Sequence, residues 1–176
     1  MKGATILVFN LPHQFIAKTC EQLKGKIVPY ARGISCVKGV AVSEKGCELF
    51  SESIGEKLGI YCGALSGANI ATEVAQEKFS ETTVAYDPPS MDSKQPTPAG
   101  TPGGSPKGSH QDLTKLKDDI KTPSGKKQTL QALPLEFPPL THSNMKKLFH
   151  RPYFHVHVID DAVSYTHLTL PTKRIV

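Results

Sequence analysis

Lys38 is the cation best placed for chemistry in this chain. It follows the apolar run Gly33-Ile-Ser-Cys-Val37 and precedes Gly39. A lysine at the end of a buried strand can hold a phosphate or stabilise oxyanion charge that develops during a reaction. An ordinary surface lysine fits the same pattern. Asn69 lies in a second stretch of interest, Gly63-Ala-Leu-Ser-Gly-Ala-Asn-Ile-Ala-Thr-Glu-Val-Ala75. It reads as a strand, a glycine turn and a helix, with Asn69 as the N-cap whose side-chain oxygen accepts from the next turn. Glycines beside a helix start admit a ligand close to the backbone, and the helix N-terminus favours an anion. Many α/β turns share this form and bind nothing.

Three histidines carry further options. His13 follows Pro12 at the end of an apolar run. It has the chemistry of a general base, and a turn histidine bonded to nearby backbone is the simpler expectation. His155 and His157 alternate along one predicted strand and so share a face. Two histidines do not make a metal site, so partly buried or surface imidazoles are expected and no metal. Phe15 falls on the apolar side of a predicted helix and is expected in the core, although its place near a strand end leaves contact with a planar cofactor open. The chain has no Gly-x-Gly-x-x-Gly, no Gly-x-x-x-x-Gly-Lys-Ser/Thr and no Gly-x-Ser-x-Gly.

The elements that must position these residues follow from periodicity. Strands are predicted at 6–10, 33–37, 60–65, 82–86 and 152–159, and helices at 14–24, 48–58, 70–79 and 143–150. Alternating strands and helices imply an α/β fold with a parallel, doubly wound sheet. Ligands of such sheets sit at the carboxyl ends of strands. Residues 12–15, 38–39 and 66–69 all fall at such ends, so three turns can converge on one cleft.

The 176 residues suffice for one domain of ordinary size. Residues 1–87 and 141–162 carry its pattern. Hydrophobic residues make up 38%, and no apolar run approaches the roughly 20 residues that span a bilayer. The basic, then apolar N-terminus is a faint echo of a signal peptide, but its run is short and reads better as a strand. The net charge of +5 lies partly in a Pro/Gly-rich segment and forms no basic helix face, so neither nucleic acid nor membrane is expected as partner. Cys20, Cys36, Cys47 and Cys62 form no Cys-x-x-Cys pair. They read as reduced thiols of a cytoplasmic protein. Residues 88–140 are rich in proline and glycine and nearly lack aromatics. A disordered insertion is expected there, with at best a transient helix at 113–120.

The wording of the motifs goes further than their pattern. Asn10-Leu-Pro-His-Gln-Phe15, Gly33-Ile-Ser-Cys-Val-Lys-Gly39, Leu65-Ser-Gly-Ala-Asn-Ile-Ala-Thr-Glu-Val-Ala75, Phe79-Ser-Glu-Thr-Thr83 and Leu148-Phe-His-Arg-Pro-Tyr-Phe-His155 closely resemble the eukaryotic NAD-dependent glycerol-3-phosphate dehydrogenases. The resemblance runs from about residue 4 to 162 apart from the insertion. It implies part of a Rossmann-like domain, NAD as cofactor, and interconversion of sn-glycerol 3-phosphate and dihydroxyacetone phosphate by hydride transfer. It also implies that Phe15 packs beside the dinucleotide and that the backbone of Ala71 contacts it, while Lys38 and Asn69 bind substrate. The family's glycine-rich phosphate loop should precede residue 1, and its catalytic lysine lies in a Gly-Ala-Leu-Lys-Asn motif beyond the last matching strand. No catalytic residue is therefore expected within the 176. This polypeptide alone is expected to bind NAD poorly and to be inactive, with a homodimer expected for the full-length family. Residues 163–176 match no part of the family and read as a translated sequencing-library adapter. The alternatives are a non-catalytic truncated homologue that works through its insertion and a dehydrogenase of another hydroxy acid.

Overall fold

The computed structural model describes residues 3–43, 46–87, 89, 92, 117–121, 127–134 and 136–159. The segment 163–176, most of the expected insertion and the first half of the transient helix lie outside the described residues.

Strand β1 is Ile6–Phe9, a continuous apolar run that Pro12 ends by removing an N–H from the ladder. A 3-10 turn, His13–Phe15, leads into helix α1, Ile16–Leu23, which buries Ile16 and Cys20. Strand β2 is Arg32–Ser35, followed by a hairpin of β3, Val40–Ser43, and β4, Gly46–Leu49. Helix α2, Phe50–Leu58, stops at Gly59, whose φ of +69° closes the last turn in the left-handed region. Strand β5, Tyr61–Ser66, the short helix α3, Ala71–Ala75, and strand β6, Ser80–Ala85, follow. A second hairpin pairs β7, Lys117–Lys121, with β8, Lys127–Gln131. Helix α4, His142–Phe149, begins at Thr141, whose hydroxyl accepts from Asn144 N, and β9, Phe154–Ile159, ends the described chain.

The main sheet has the order β1-β2-β5-β6-β9. β1, β2 and β5 run parallel: Val8 lies opposite Ile34, and Ile34 opposite Gly63. β6 and β9 are also parallel, with Val84 opposite Val158. The pairing of β5 with β6 is antiparallel, with Leu65 opposite Val84. The fold is thus α/β, Rossmann-like and mostly parallel, as expected, except that the β5–β6 pair is antiparallel. The reason is the length of α3. Its five residues rise only about 8 Å, less than the ~20 Å of a six-residue strand, so the chain turns back at the sheet end instead of crossing over a face.

Alternation along the strands divides the core. Leu7 and Phe9 face α1 and α2, with Ile54 and Ile60 filling the layer. Ile34, Leu65, Val84 and Val156 face the other way, toward Leu133, Leu140 and Met145. Two local expectations are corrected. The helix expected from residue 48 starts at Phe50, because 46–49 pair with 40–43 as β4 and β3, with Gly46 at φ +114°. The transient helix gives way over its described residues to β7.

Within the expected insertion the described residues carry structure: β7 pairs with β8, and Asp92 is buried in an ion pair with Arg32. Leu130, Leu133 and Leu140 are buried, and that apolar area offsets the ordering entropy that the prolines had suggested would win. Gln128 Nε2 donates to Gly55 O and Ile60 O at 3.0 and 2.9 Å, tying β8 to the carboxyl end of α2. Among the described residues no helix is long and apolar enough to cross a membrane.

Candidate functional site

Parallel pairing puts the carboxyl ends of three neighbouring strands on one edge of the sheet. Phe15 follows β1, Lys38 follows β2, and Asn69 and Ala71 follow β5. Residues 12–15, 38–39 and 66–69 therefore do gather at one edge.

The end of β2 aims Lys38. Cys36 N donates to Phe9 O at 2.9 Å, extending the pairing with β1, and Val37 N donates to Ser35 Oγ at 3.3 Å. Gly39 then turns the chain at φ +91°, a conformation open to glycine and costly for most side chains. Lys38 Nζ donates to the carbonyl of Gly67 at 3.0 Å. Lys38 is exposed overall, yet partial desolvation of its ammonium lowers the pKa from the ordinary 10.5, and charge on Cys36 beside it acts the other way.

The turn that receives Lys38 is pressed against β6. A Cβ on Gly67 would stand 2.4 Å from Glu81 O, 2.8 Å from Asn69 Oδ1 and 2.9 Å from Thr82 Cα, so only glycine fits. Thr82 Oγ1 donates to Ser66 O at 2.9 Å. Asn69 Nδ2 donates to Ser80 Oγ at 2.7 Å and to Glu81 O at 2.9 Å. Asn69 is therefore not the helix N-cap: Ile70 holds that position with no side-chain cap bond, and the Asn69 amide crosses to β6 instead. With only one turn and a half of helix behind it, the expected dipole attraction for an anion also falls away. Both amide hydrogens are used, and Oδ1 is buried without a hydrogen-bond partner among the described residues. Lys38 and Asn69 thus come together at one turn, the ammonium bonded to the Gly67 carbonyl and the amide bonded across to β6.

Phe15 is half exposed at the end of the 3-10 turn, which corrects its expected place in the core. The apolar face of the helix begins one residue later, at Ile16. Ala71 is the exposed first residue of α3. His13 packs its ring against Phe50, with centroids 6.0 Å apart. His155 and His157 lie on β9, away from Lys38. The His155 ring meets Phe79 and His150, each at 5.2 Å, and His157 Nε2 lies 3.9 Å from Glu81 Oε1. Among the described residues no group of three or more His, Cys, Asp or Glu could hold a metal. Ser80 and Thr82, the groups that fix the turn, carried no sequence signal, since their partners lie across a strand pair whose antiparallel sense was not expected.

An exposed aromatic ring and an exposed helix start flank the ammonium along the strand ends. That arrangement fits an extended ligand with a planar group, a phosphate and a hydroxyl, the parts of a dinucleotide and a phosphorylated alcohol.

Comparison with known proteins gives the family. Residues 1–92 match the model of the NAD-dependent glycerol-3-phosphate dehydrogenase N-terminus. The chain is 45% identical over 159 residues to a glycerol-3-phosphate dehydrogenase [NAD(+)] of Pichia angusta, covering 90% of this chain and 31% of that protein. It is 63% identical over 89 residues to one from Schizosaccharomyces pombe, covering 51% of this chain and 23% of that protein. A solved glycerol-3-phosphate dehydrogenase from Saccharomyces cerevisiae superposes with a TM-score of 0.58 at 44% identity, covering 89% of this chain and 33% of that one. The chain spans about a third of the length of these longer matches.

Proposed function

The chain belongs to the NAD-dependent glycerol-3-phosphate dehydrogenase family, and on that premise we propose that its protein interconverts sn-glycerol 3-phosphate and dihydroxyacetone phosphate with NAD, in glycerol and carbohydrate metabolism. The observation that carries the reading is the meeting of Lys38 and Asn69 at the Gly67 turn.

In this reading Lys38 attracts the anionic substrate and stabilises negative charge on its oxygens. On binding, the ammonium exchanges or shares its bond to Gly67 O. Asn69 cannot donate, because both of its N–H groups are spent, so Oδ1 accepts from a substrate hydroxyl. Oδ1 has no hydrogen-bond partner among the described residues, and an acceptor left without a donor costs about 1–3 kcal/mol that a ligand can recover once the turn opens to it, since the oxygen is buried as it stands. Phe15 and the backbone at Ala71 would hold NAD along the same edge, and their exposure leaves both free to do so. When bound, NAD supplies the hydride acceptor. No catalytic residue is assigned among the described residues. We take the working protein to be a cytoplasmic homodimer with neither nucleic acid nor membrane as partner; family membership and the four free cysteines support this.

The test is NADH formation by the polypeptide of the complete gene with sn-glycerol 3-phosphate. Turnover of this substrate supports the proposal. Turnover of another hydroxy acid alone, or NAD binding without turnover, overturns it.

A further inference from the structure

Four groups link the interior of the sheet to the Lys38 ammonium. Ser80, buried at the start of β6, is held by its own backbone, whose N–H donates to Tyr153 O at 2.8 Å. Its Oγ accepts from Asn69 Nδ2 at 2.7 Å. Asn69 is two residues beyond Gly67 and closes the turn onto β6 with a second bond, to Glu81 O. The Gly67 carbonyl, fixed by that closure, accepts from Lys38 Nζ. Glu81 O would be held near Asn69 by the strand whatever stood at position 80. Among the described residues the Ser80 hydroxyl is the one side-chain group bonded to the amide, and it sets the amide's rotation.

We propose that Ser80 is a positioning residue: through Asn69 and the Gly67 carbonyl it fixes where the Lys38 ammonium stands and keeps the Asn69 oxygen turned toward the turn. This rests on the proposed site for its purpose, but not for its physics. Without the hydroxyl, the amide keeps one bond instead of two and can rotate. The turn then loosens, and Lys38 loses its fixed acceptor and swings toward water. The other ionisable group beside Lys38 is the Cys36 thiol, which stays in place because its backbone pairs with β1.

The test uses the full 176-residue chain without ligand. Its lysines are dimethylated with a carbon-13 label, the Lys38 signal is assigned by its loss in Lys38→Arg, and its titration is followed by NMR. Wild-type Lys38 titrates below the ordinary 10.5, because its ammonium is partly desolvated. Ser80→Ala is expected to move the Lys38 midpoint up toward the ordinary 10.5, and Ser80→Thr, which keeps the hydroxyl, to stay with the wild type. If Ser80→Ala does not fold, Ser80→Cys, which keeps the size but is a weaker acceptor, takes its place. A variant that folds and leaves the Lys38 midpoint unchanged overturns the proposal. A general loosening that shifts Lys57 as much as Lys38 overturns it too. If the protein proves to act on another substrate, this result is untouched, so the two readings fail separately. In the complete enzyme, Ser80→Ala is expected to raise KM for glycerol 3-phosphate about fivefold, the worth of one neutral hydrogen bond; an unchanged KM counts against the inference.

Discussion

The guanidinium of Arg32 and the carboxylate of Asp92 form a two-pronged ion pair in the interior, Nε to Oδ2 at 2.7 Å and a terminal N–H to Oδ1 at 2.9 Å. Arg32 also donates to Gln131 O at 2.8 Å, so one side chain of β2 joins positions 92 and 131. Removing one partner strands a buried charge. Asp92→Ala is therefore expected to lower stability by about 3–5 kcal/mol, and Arg32→Met combined with Asp92→Leu to recover most of it. Urea unfolding of the three chains measures this. An Asp92→Ala chain of wild-type stability would mean that the pair is not made in solution.

Gly67 is predicted to tolerate no side chain. Two of the three atoms that a Cβ would meet belong to the backbone of β6, so the turn itself has to shift. Gly67→Ala should lose about 1–3 kcal/mol of stability and disturb amide signals at 38 and 69 through 82. Thermal unfolding and an amide spectrum check both. A spectrum that changes only at position 67 would argue against the close packing of the turn.

Alkaline pH should stabilise the fold through Lys38. Burial depresses its pKa in the folded chain below the ordinary 10.5 that the unfolded chain keeps. Between the two values the unfolded state binds more protons, so stability rises with pH across that window and the penalty is fully present below it. Lys38→Met should remove this part of the slope and raise stability at neutral pH. Parallel unfolding curves for the two chains from pH 8 to 10.5 would contradict the partial desolvation of the ammonium.

The thiols should separate by access. Cys47 is exposed, whereas burial raises the pKa of Cys20, Cys36 and Cys62, most strongly for Cys62. A thiol reagent at neutral pH should label Cys47 rapidly and the other three only on unfolding, because the thiolate is the reactive form. Rapid labelling of Cys36 would mean that the strand end beside Lys38 opens readily.

The sequence was most informative where one element decides its own form. The apolar run of β1, the glycine after α2 and the amphipathic face of α1 were legible because each is a local pattern. The gathering of Lys38 and Asn69 at one edge followed from the order of strands and helices. Partners distant along the chain were not legible. Asn69 looked like a helix cap because the capping preference is local, while its actual acceptors, Ser80 and Glu81, stand on a strand running against the expected sense. Leu130, Leu133 and Leu140 were masked by the prolines around them. Arg32 carried no sign of its burial, because its partners lie 60 and 99 residues away.

The most direct test of the site is steady-state kinetics of the complete gene's polypeptide with glycerol 3-phosphate and NAD, compared with its Lys38→Ala variant. A charge-assisted bond to the substrate is worth about 1.5–3 kcal/mol, so kcat/KM should fall about 10- to 100-fold while the variant remains folded. A folded Lys38→Ala enzyme with wild-type kcat/KM would remove Lys38 from the site and contradict the account.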